Sequence, residues 1–463
     1  MLAPEHLPNI NLIDILKNRR QRLGDRIDFP AILWAGSASP RNFSANTFPF
    51  RASSHFLYFT GLPIPHAAIH LQAGKLTLFV EDPHPSSTLW YGQRPNREEL
   101  AAQIGADAAY PLSELPQYTP GAATIAVQDA ATWTQQTQIC DRYILPQIPP
   151  QGIDLELAQA IVEIRLTHDE GALVELRKAA TVSIQAHLAG MKAVRIAQWE
   201  AQVRAAIEAV IIAQNMTTAY PSIVTVHGEI LHNDSYGRQI QPGDLLLADV
   251  GAESNLGWAA DITRTYPVSG QFSPTQRDIY DIVLAAHDAC IAAVKPGVEY
   301  EDIHLLACRI LAEGLVDLGI LRGQPEELVE KDVHALFFPH GIGHLLGLDV
   351  HDMEDLGDLS GYEPGRSRSS RFGLGYLRLN RVLRPGMLVT IEPGFYQIPA
   401  ILHSAREQYQ YLVDWERLAQ FRDVRGIRIE DDVLVTATGH EVLTQDLPTK
   451  TSDLEELVNS GGF

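Results

Sequence analysis

Two aspartates punctuate the stretch Leu245–Pro267, LLLADVGAESNLGWAADITRTYP. An apolar run, Leu245 to Ala248, ends in Asp249; a glycine-containing turn follows, and a second strand-like run begins at Asp261. The two carboxylates stand twelve residues apart across a predicted hairpin. Surface hairpins often carry acids, so the pair alone decides nothing. A second copy changes its weight. QPGDLLLAD, residues 241–249, is echoed by RPGMLVTIE, residues 384–392. Each copy has a Pro-Gly turn, an apolar strand and an acid seven residues after the proline: Asp249 in one, Glu392 in the other. Each strand has a later partner that also carries an acid, Asp261 ahead of ITRTYPV and Glu430 within GIRIEDDVLVT. A pseudo-twofold domain built on this repeat would bring four carboxylates into one cleft.

FFPHGIGHLLGLDVHD, residues 337–352, adds His340, His344 and His351, three histidines within twelve residues among glycines. A lone histidine is more often a satisfied polar residue near the core, but this density points to a site. No Glu follows His340, so the helical zinc-protease motif is absent. Four carboxylates and one imidazole form a hard, oxygen-rich donor set. It favours Mn²⁺, with Co²⁺ or Zn²⁺ as alternatives, over a metal selected by thiolates. Five side chains exceed what one open catalytic ion needs. They suit two ions about 3.5–4 Å apart, sharing carboxylates and a bridging hydroxide, an arrangement that hydrolyses an amide or ester.

The elements that must position these residues are legible in outline. Ser273, Pro274 and Gln276 mark the start of a helix running to Val294, with Ile279, Ile282, Ala286, Cys290 and Ala293 as its apolar stripe. Further helices are predicted from Asp302 to Leu318, from Trp199 to Gln214 with Val203, Ile207 and Val210 aligned, and from near Asp169 with Leu173, Leu176, Ala180, Ile184 and Leu188 on one face. Upstream, a helix over 9–23 ends in Arg19, Arg20 and Arg22, which suits a helix C-terminus. Strands at Ala31–Trp34, across Ala67–Val80 around Gly74, and at Ala123–Val127 alternate with helices at Arg97–Ile104 and Asp154–Arg165. This pattern reads as a first α/β domain. In FPFRASSHFLYFTGL, residues 48–62, Phe50, Phe56 and Phe59 read as core, whereas packing alone does not explain Arg51. LPQIPPQG, residues 145–152, is a proline-rich break. The expected division is 1–166 and 167–463.

Bulk properties narrow the class. The 463 residues carry a net charge of −21 with 45% apolar and 20% charged residues. That is ordinary for a globular protein and argues against nucleic acid as a partner, because phosphate binding needs a basic face. Three widely spaced cysteines, Cys140, Cys290 and Cys308, with no Cys-x-x-Cys, are not expected to form a disulfide framework or a thiolate metal site and fit a reducing compartment. No apolar run approaches the roughly 20 residues of a membrane span. The N-terminus lacks a basic start followed by an apolar core, so no signal peptide and a cytoplasmic location are expected.

ADITRTYPVSG, HGIGHLLGLDVHD, TIEPGFY and GIRIEDD closely resemble the pita-bread metallopeptidases, and among them the aminopeptidase P (Xaa-Pro aminopeptidase) family. FPFRASSHFLYFTGL, YPSIVT and ILHND fit the same family, so the resemblance covers most of residues 30–450. It implies an N-terminal α/β domain followed by a pita-bread α+β catalytic domain. It further implies that Asp249 binds one of two divalent ions, that Asp261 and Glu430 bind both, and that His344 and Glu392 bind the other. Glu392 would also be the general base. His232 and His351 would flank the substrate, His340 would shape its pocket, and Arg428, in phase with Glu430 along a strand, would orient a ligating acid. The family closes its site with the first domain, often from a neighbouring subunit, so a homodimer or homotetramer is expected.

An Xaa-Pro bond is a tertiary amide whose proline nitrogen carries no hydrogen. A protease binding its substrate as an added strand loses that hydrogen bond. The implied activity is therefore release of the N-terminal residue from peptides with proline second. The alternatives are prolidase, acting on Xaa-Pro dipeptides with the same metals, and a non-catalytic pita-bread module binding peptides or proteins. Three features depart from the family pattern. His55 stands where the family commonly carries an acid, Asn255 lengthens the turn between Asp249 and Asp261, and the segments Met353–Asn380 and Leu402–Arg425 are long. The first of these segments holds the basic, aromatic run SRSSRFGLGYLRL, expected to cover the cleft or pack on a neighbour.

Overall fold

A computed structural model describes residues 11–144, 146 and 149–461. Residues 9 and 10 of the first expected helix, and part of the proline-rich break, lie outside the described residues. The chain forms two compact units, Met1–Val174 with Met353–Ser360, and Glu175–Asp352 with Gly361–Phe463.

The first unit is built on a five-stranded mixed sheet. Helix α1 (Leu12–Gly24) is capped by the Asn11 side chain and precedes β1 (Ala31–Trp34), α2 (Ser54–Thr60), β2 (Ala68–Gln72) and β3 (Lys75–Phe79). Helix α3 (Arg97–Ile104), β4 (Ala108–Tyr110), β5 (Ala123–Thr124), α4 (Ala130–Ile139) and α5 (Ile153–Arg165) follow. The strand order is β4-β3-β2-β1-β5, with β5 and β4 joining parallel and the rest antiparallel. Ala73 and Gly74 both take positive φ between β2 and β3, the backbone of a tight hairpin turn that follows strand twist. The strand expected over Ala123–Val127 is only two residues long.

Phe56 and Phe59 are fully buried, Phe50 is half-buried, and Arg51 bonds Ala52 O and Ser54 Oγ at the start of α2. The basic end of α1 does more than offset the helix dipole. Arg19 forks onto Asp169 at 2.7 and 2.8 Å, and buried Arg20 donates to Phe59, Ile104 and Gly105 carbonyls left unpaired at two helix C-termini. His55 is buried too, bonding Asp355 Oδ2 and Arg165 Nη1, each at 2.9 Å.

In the second unit each copy of the sequence repeat supplies one strand to a three-stranded sheet. Helices α6 (Glu170–Ala193) and α7 (Glu200–Ala213) lead to β6 (Ile223–Thr225), β7 (Leu245–Asp249) and β8 (Thr263–Pro267), where β7 pairs antiparallel with both neighbours. Helix α8 (Pro274–Ala293) has the capping box read from Ser273 and Gln276, and α9 (Tyr300–Asp317) packs against it. The second copy follows: β9 (Leu388–Ile391), β10 (Gly394–Tyr396), β11 (Gly426–Arg428) and β12 (Asp431–Val435). Here β9 pairs antiparallel with β12, and β10 with β11. On α6 the buried line runs through Ala172, Leu176, Ala179, Ala180 and Ser183, so Leu173 and Leu188 are only half-buried. On α7 Ile211 rather than Val210 faces inward.

Candidate metal centre

The acids take their places from strand ends. Asp249 closes β7 opposite Thr263, Asp261 precedes β8, Glu392 follows β9, and Glu430 precedes β12. An antiparallel bridge between Thr263 and Glu430 joins the two copies, so all four carboxylates meet where the two strand pairs touch. Two glycines permit the close approach. A Cβ on Gly251 would lie 1.6 Å from Ala260 O, and one on Gly343 would lie 2.2 Å from Thr390 O. The HGIGH loop hangs on β9 through Thr390 N to His344 O at 3.0 Å and Glu392 N to Ile342 O at 2.8 Å. Asn255 is the exposed residue of the turn 254–257, where Gly257 N donates to Ser254 O.

His344 Nδ1 donates to its neighbour Leu345 O at 3.0 Å, which leaves the Nε2 lone pair facing Asp261 Oδ2 at 3.4 Å and Glu392 Oε1 at 4.0 Å. One donor atom each from Asp261, His344 and Glu430 lies within 4.8 Å of the others. Glu430 Oε2 accepts from Thr263 Oγ1 at 2.7 Å, while its Oε1 is buried with no hydrogen-bond partner. Burial, then mutual repulsion, raises the pKa of Asp261 and of Glu430 above the carboxylate range, and burial does the same for Glu392. Converging acids, an imidazole with its lone pair turned inward and an orphaned carboxylate oxygen are the donor chemistry of hard divalent ions, so these residues fit a metal centre.

Arg428 serves this cluster. Its Nη2 donates to Asp249 Oδ2 at 2.5 Å, its Nη1 to Tyr396 Oη at 2.9 Å and its Nε to Thr263 Oγ1 at 3.1 Å. His340 Nδ1 donates to Gly341 O, and its Nε2 accepts from Tyr396 Oη, each at 2.8 Å. Burial lowers His340 to about 3, so it is a neutral ring near pH 7. Burial, helped by Arg428, also lowers His232. His351 packs edge-on against His344 with ring centroids 4.3 Å apart. All nine residues singled out from the sequence line one cavity of about 550 Å³.

Other residues of this centre were not singled out from the sequence. Tyr220 Oη contacts Asp249 Oδ1 at 2.7 Å and Asp261 Oδ1 more closely still; its only signal was its place in YPSIVT. Asp432 accepts from Asp261 N at 3.2 Å, and Asp431 pairs with Arg264 at 2.8 Å, which accounts for the other acids of GIRIEDD. The run SRSSRFGLGYLRL, expected to cover the cleft or pack on a neighbour, does contribute to the cavity lining, through Arg368, Phe372, Tyr376 and Arg378. The loop is pinned by Arg366 to Glu299 at 2.6 Å and by Arg371 to Asp332 at 2.7 Å.

Fold and site together define a metallopeptidase. Residues 174–437, more than half of the chain, match the model of metallopeptidase family M24, and the chain belongs to that family. Residues 16–128 match the aminopeptidase P N-terminal domain, which places the chain in the aminopeptidase P branch as a metallo-exopeptidase with a pita-bread catalytic domain. A probable Xaa-Pro aminopeptidase of Talaromyces marneffei is 35% identical over 89% of this chain and 88% of its own. One of Fusarium vanettenii is 33% identical over 99% and 95%. Among solved structures, aminopeptidase P of E. coli with the inhibitor Pro-Leu is 28% identical with a TM-score of 0.79, covering 97% of this chain and 99% of that one. Proline aminopeptidase P II of Yersinia pestis is 29% identical with a TM-score of 0.79, covering 97% and 100%.

Proposed function

We propose that the chain releases the N-terminal residue from peptides with proline in second position, using two divalent ions, Mn²⁺ by donor chemistry. The observation that carries this reading is the convergence of Asp249, Asp261, His344, Glu392 and Glu430 in the lining of one cavity. Asp249 would hold one ion, Asp261 and Glu430 would serve both, and His344 and Glu392 would hold the other. When bound, the ions supply a water of lowered pKa and polarise the scissile carbonyl.

The chain's own groups do the rest. Glu392 takes the proton of the attacking water and passes it to the departing proline nitrogen. His232 and His351 flank the substrate and stabilise the tetrahedral oxygen, and His340, neutral and held by Tyr396, shapes the wall. Arg428 fixes the orientation of Asp249. Pro339, Ile398 and Ile401 give the cavity an apolar side suited to a pyrrolidine ring. The domain division we adopt is 1–166 and 167–463. A cytoplasmic homodimer or homotetramer accords with three free thiols and with the exposed run Leu89, Trp90, Tyr91 on the first unit. No helix among the described residues is long and apolar enough to cross a membrane.

The test uses the metal-stripped chain restored with Mn²⁺ and offered a tripeptide with proline second, an Xaa-Pro dipeptide and an alanine-second tripeptide. Cleavage of the proline-second tripeptide alone is expected. Cleavage of the dipeptide alone would make it a prolidase, and no turnover with any divalent ion would leave a peptide-binding module.

A further inference from the structure

Among the described residues two groups of three side chains have metal-ligand spacing. One belongs to the acidic centre; the other is His304, Cys308 and His334, in the same unit but separate from the cavity lining. His304 and Cys308 sit one turn apart on α9, so they share a face. His334 comes from the short helical turn His334–Leu336, which packs on α9. All three side chains are buried, with His304 and Cys308 at 0% exposure and His334 at 3%. Cys308 Sγ lies 3.5 Å from His304 Nε2. The Nδ1 atoms of both histidines have no hydrogen-bond partner. A buried unpartnered ring nitrogen is costly. On His304 it is the nitrogen other than the one beside the thiol, and the His334 ring also interacts with the Leu328 backbone. The case for a ligand therefore rests on the spacing and burial of the three side chains.

We propose that His304, Cys308 and His334 form a second metal site, for a single soft monovalent ion of the copper(I) type. The thiolate is a soft donor and the two imidazoles suit copper, which sets this group apart from the oxygen-rich centre. The group contains no carboxylate, and Asp332, two residues before His334, is paired with Arg371 at 2.7 Å. One thiolate with a monovalent ion is neutral, whereas a divalent ion would leave a net charge in the interior. The three candidate donors lie within 4.8 Å of one another. An ion about 2.0–2.3 Å from each donor needs them about 3.5–3.8 Å apart. The His304–Cys308 pair already meets that, and a side-chain adjustment of about 1 Å closes the rest. Binding is balanced: the ion enters, the Cys308 S–H proton leaves, and nothing is oxidised or reduced.

The test is anaerobic titration of the full chain, purified with Mn²⁺, using copper(I) held as its bicinchoninate complex. One equivalent should move to the protein. Cys308→Ala should take none while hydrolysing a proline-second tripeptide as the parent does, which separates this site from the peptidase reading. His334→Gln, with the thiol intact, should bind at least tenfold more weakly, and Cys290→Ala should bind normally. Copper left with the chelator, or equal uptake by Cys308→Ala, would overturn the proposal. A Cys308-dependent equivalent of zinc without copper would overturn the monovalent assignment. Should the variants fold poorly, the copper edge spectrum of the parent protein decides: one sulfur and two nitrogens are expected, and a sulfur-free shell refutes the site.

Discussion

Replacing Arg428 with methionine isolates the role of the buried cation beside the acids. The substitution keeps much of the side-chain length and deletes three hydrogen bonds, to Asp249 at 2.5 Å, Tyr396 at 2.9 Å and Thr263 at 3.1 Å. Arg428 is 4% exposed and Asp249 8%, so solvent does little to replace the lost partner. Breaking a buried ion pair by removing one member costs about 3–5 kcal/mol, most of it from the charge left behind. For the roughly 280 residues of the second unit, an unfolding entropy of about 2.1 cal/mol/K per residue makes each kcal/mol worth about 1.7 °C of melting temperature. The metal-free Arg428→Met protein should therefore melt roughly 5–9 °C below the metal-free parent. Bound divalent ions would neutralise Asp249 directly, so saturating Mn²⁺ should shrink that gap to less than half. Loss of the group that orients a ligand costs about 10–100-fold in metal affinity or activity. The assay pairs thermal melts with and without chelator and Mn²⁺ titrations of tripeptide cleavage. An Arg428→Met protein whose metal-free melt and half-saturating Mn²⁺ both match the parent would refute the assignment.

Glu392→Gln should lower turnover about 10²–10⁴-fold while far-ultraviolet dichroism stays unchanged; near-normal turnover would remove it as the base. Tyr220→Phe removes the hydroxyl shared by Asp249 and Asp261 and should shift half-saturating Mn²⁺ by about tenfold or more, read from the same titration. The pH response of the metal-free chain follows from the raised acids. Burial, with Asp249's charge, moves Asp261 from 3.8 to about 8, and burial moves Glu392 from 4.5 to about 7. A carboxyl whose folded pKa is raised contributes nothing unfavourable below its unfolded pKa, where both states are protonated, and destabilises progressively as pH climbs to the folded value. The metal-free melting temperature should thus fall between pH 4 and 8, and Mn²⁺ binding near pH 7 should release protons, measurable by calorimetry in buffers of different ionisation enthalpy.

Local patterns carried much of this into the sequence. The echo that pairs Asp249 with Glu392 survives as two antiparallel strand pairs because an apolar strand ending in an acid is a short-range instruction. The capping box at Ser273 and Gln276 is equally local, and it starts α8 at Pro274. What stayed hidden depends on distant partners. Arg19 and Arg20 read as a basic helix end, yet Arg19 bonds Asp169, 150 residues away. His55 finds Asp355 across 300 residues. Tyr220 joins the acids through a sheet neighbour, since Ile223 pairs with Asp249, and no periodicity marks a single tyrosine before a three-residue strand. The narrower burial of Leu173 and Leu188 shows the same limit: a helical stripe gives the inward face, and the packing surface decides how wide it is.

Counting ions against turnover tests the two-ion peptidase directly. After metal stripping, reloading and gel filtration, the parent chain should retain two Mn²⁺ per chain and cleave a proline-second tripeptide, and Glu430→Gln should lose both ions and activity together. Full activity with fewer than one ion per chain, or in Glu430→Gln, would contradict the account.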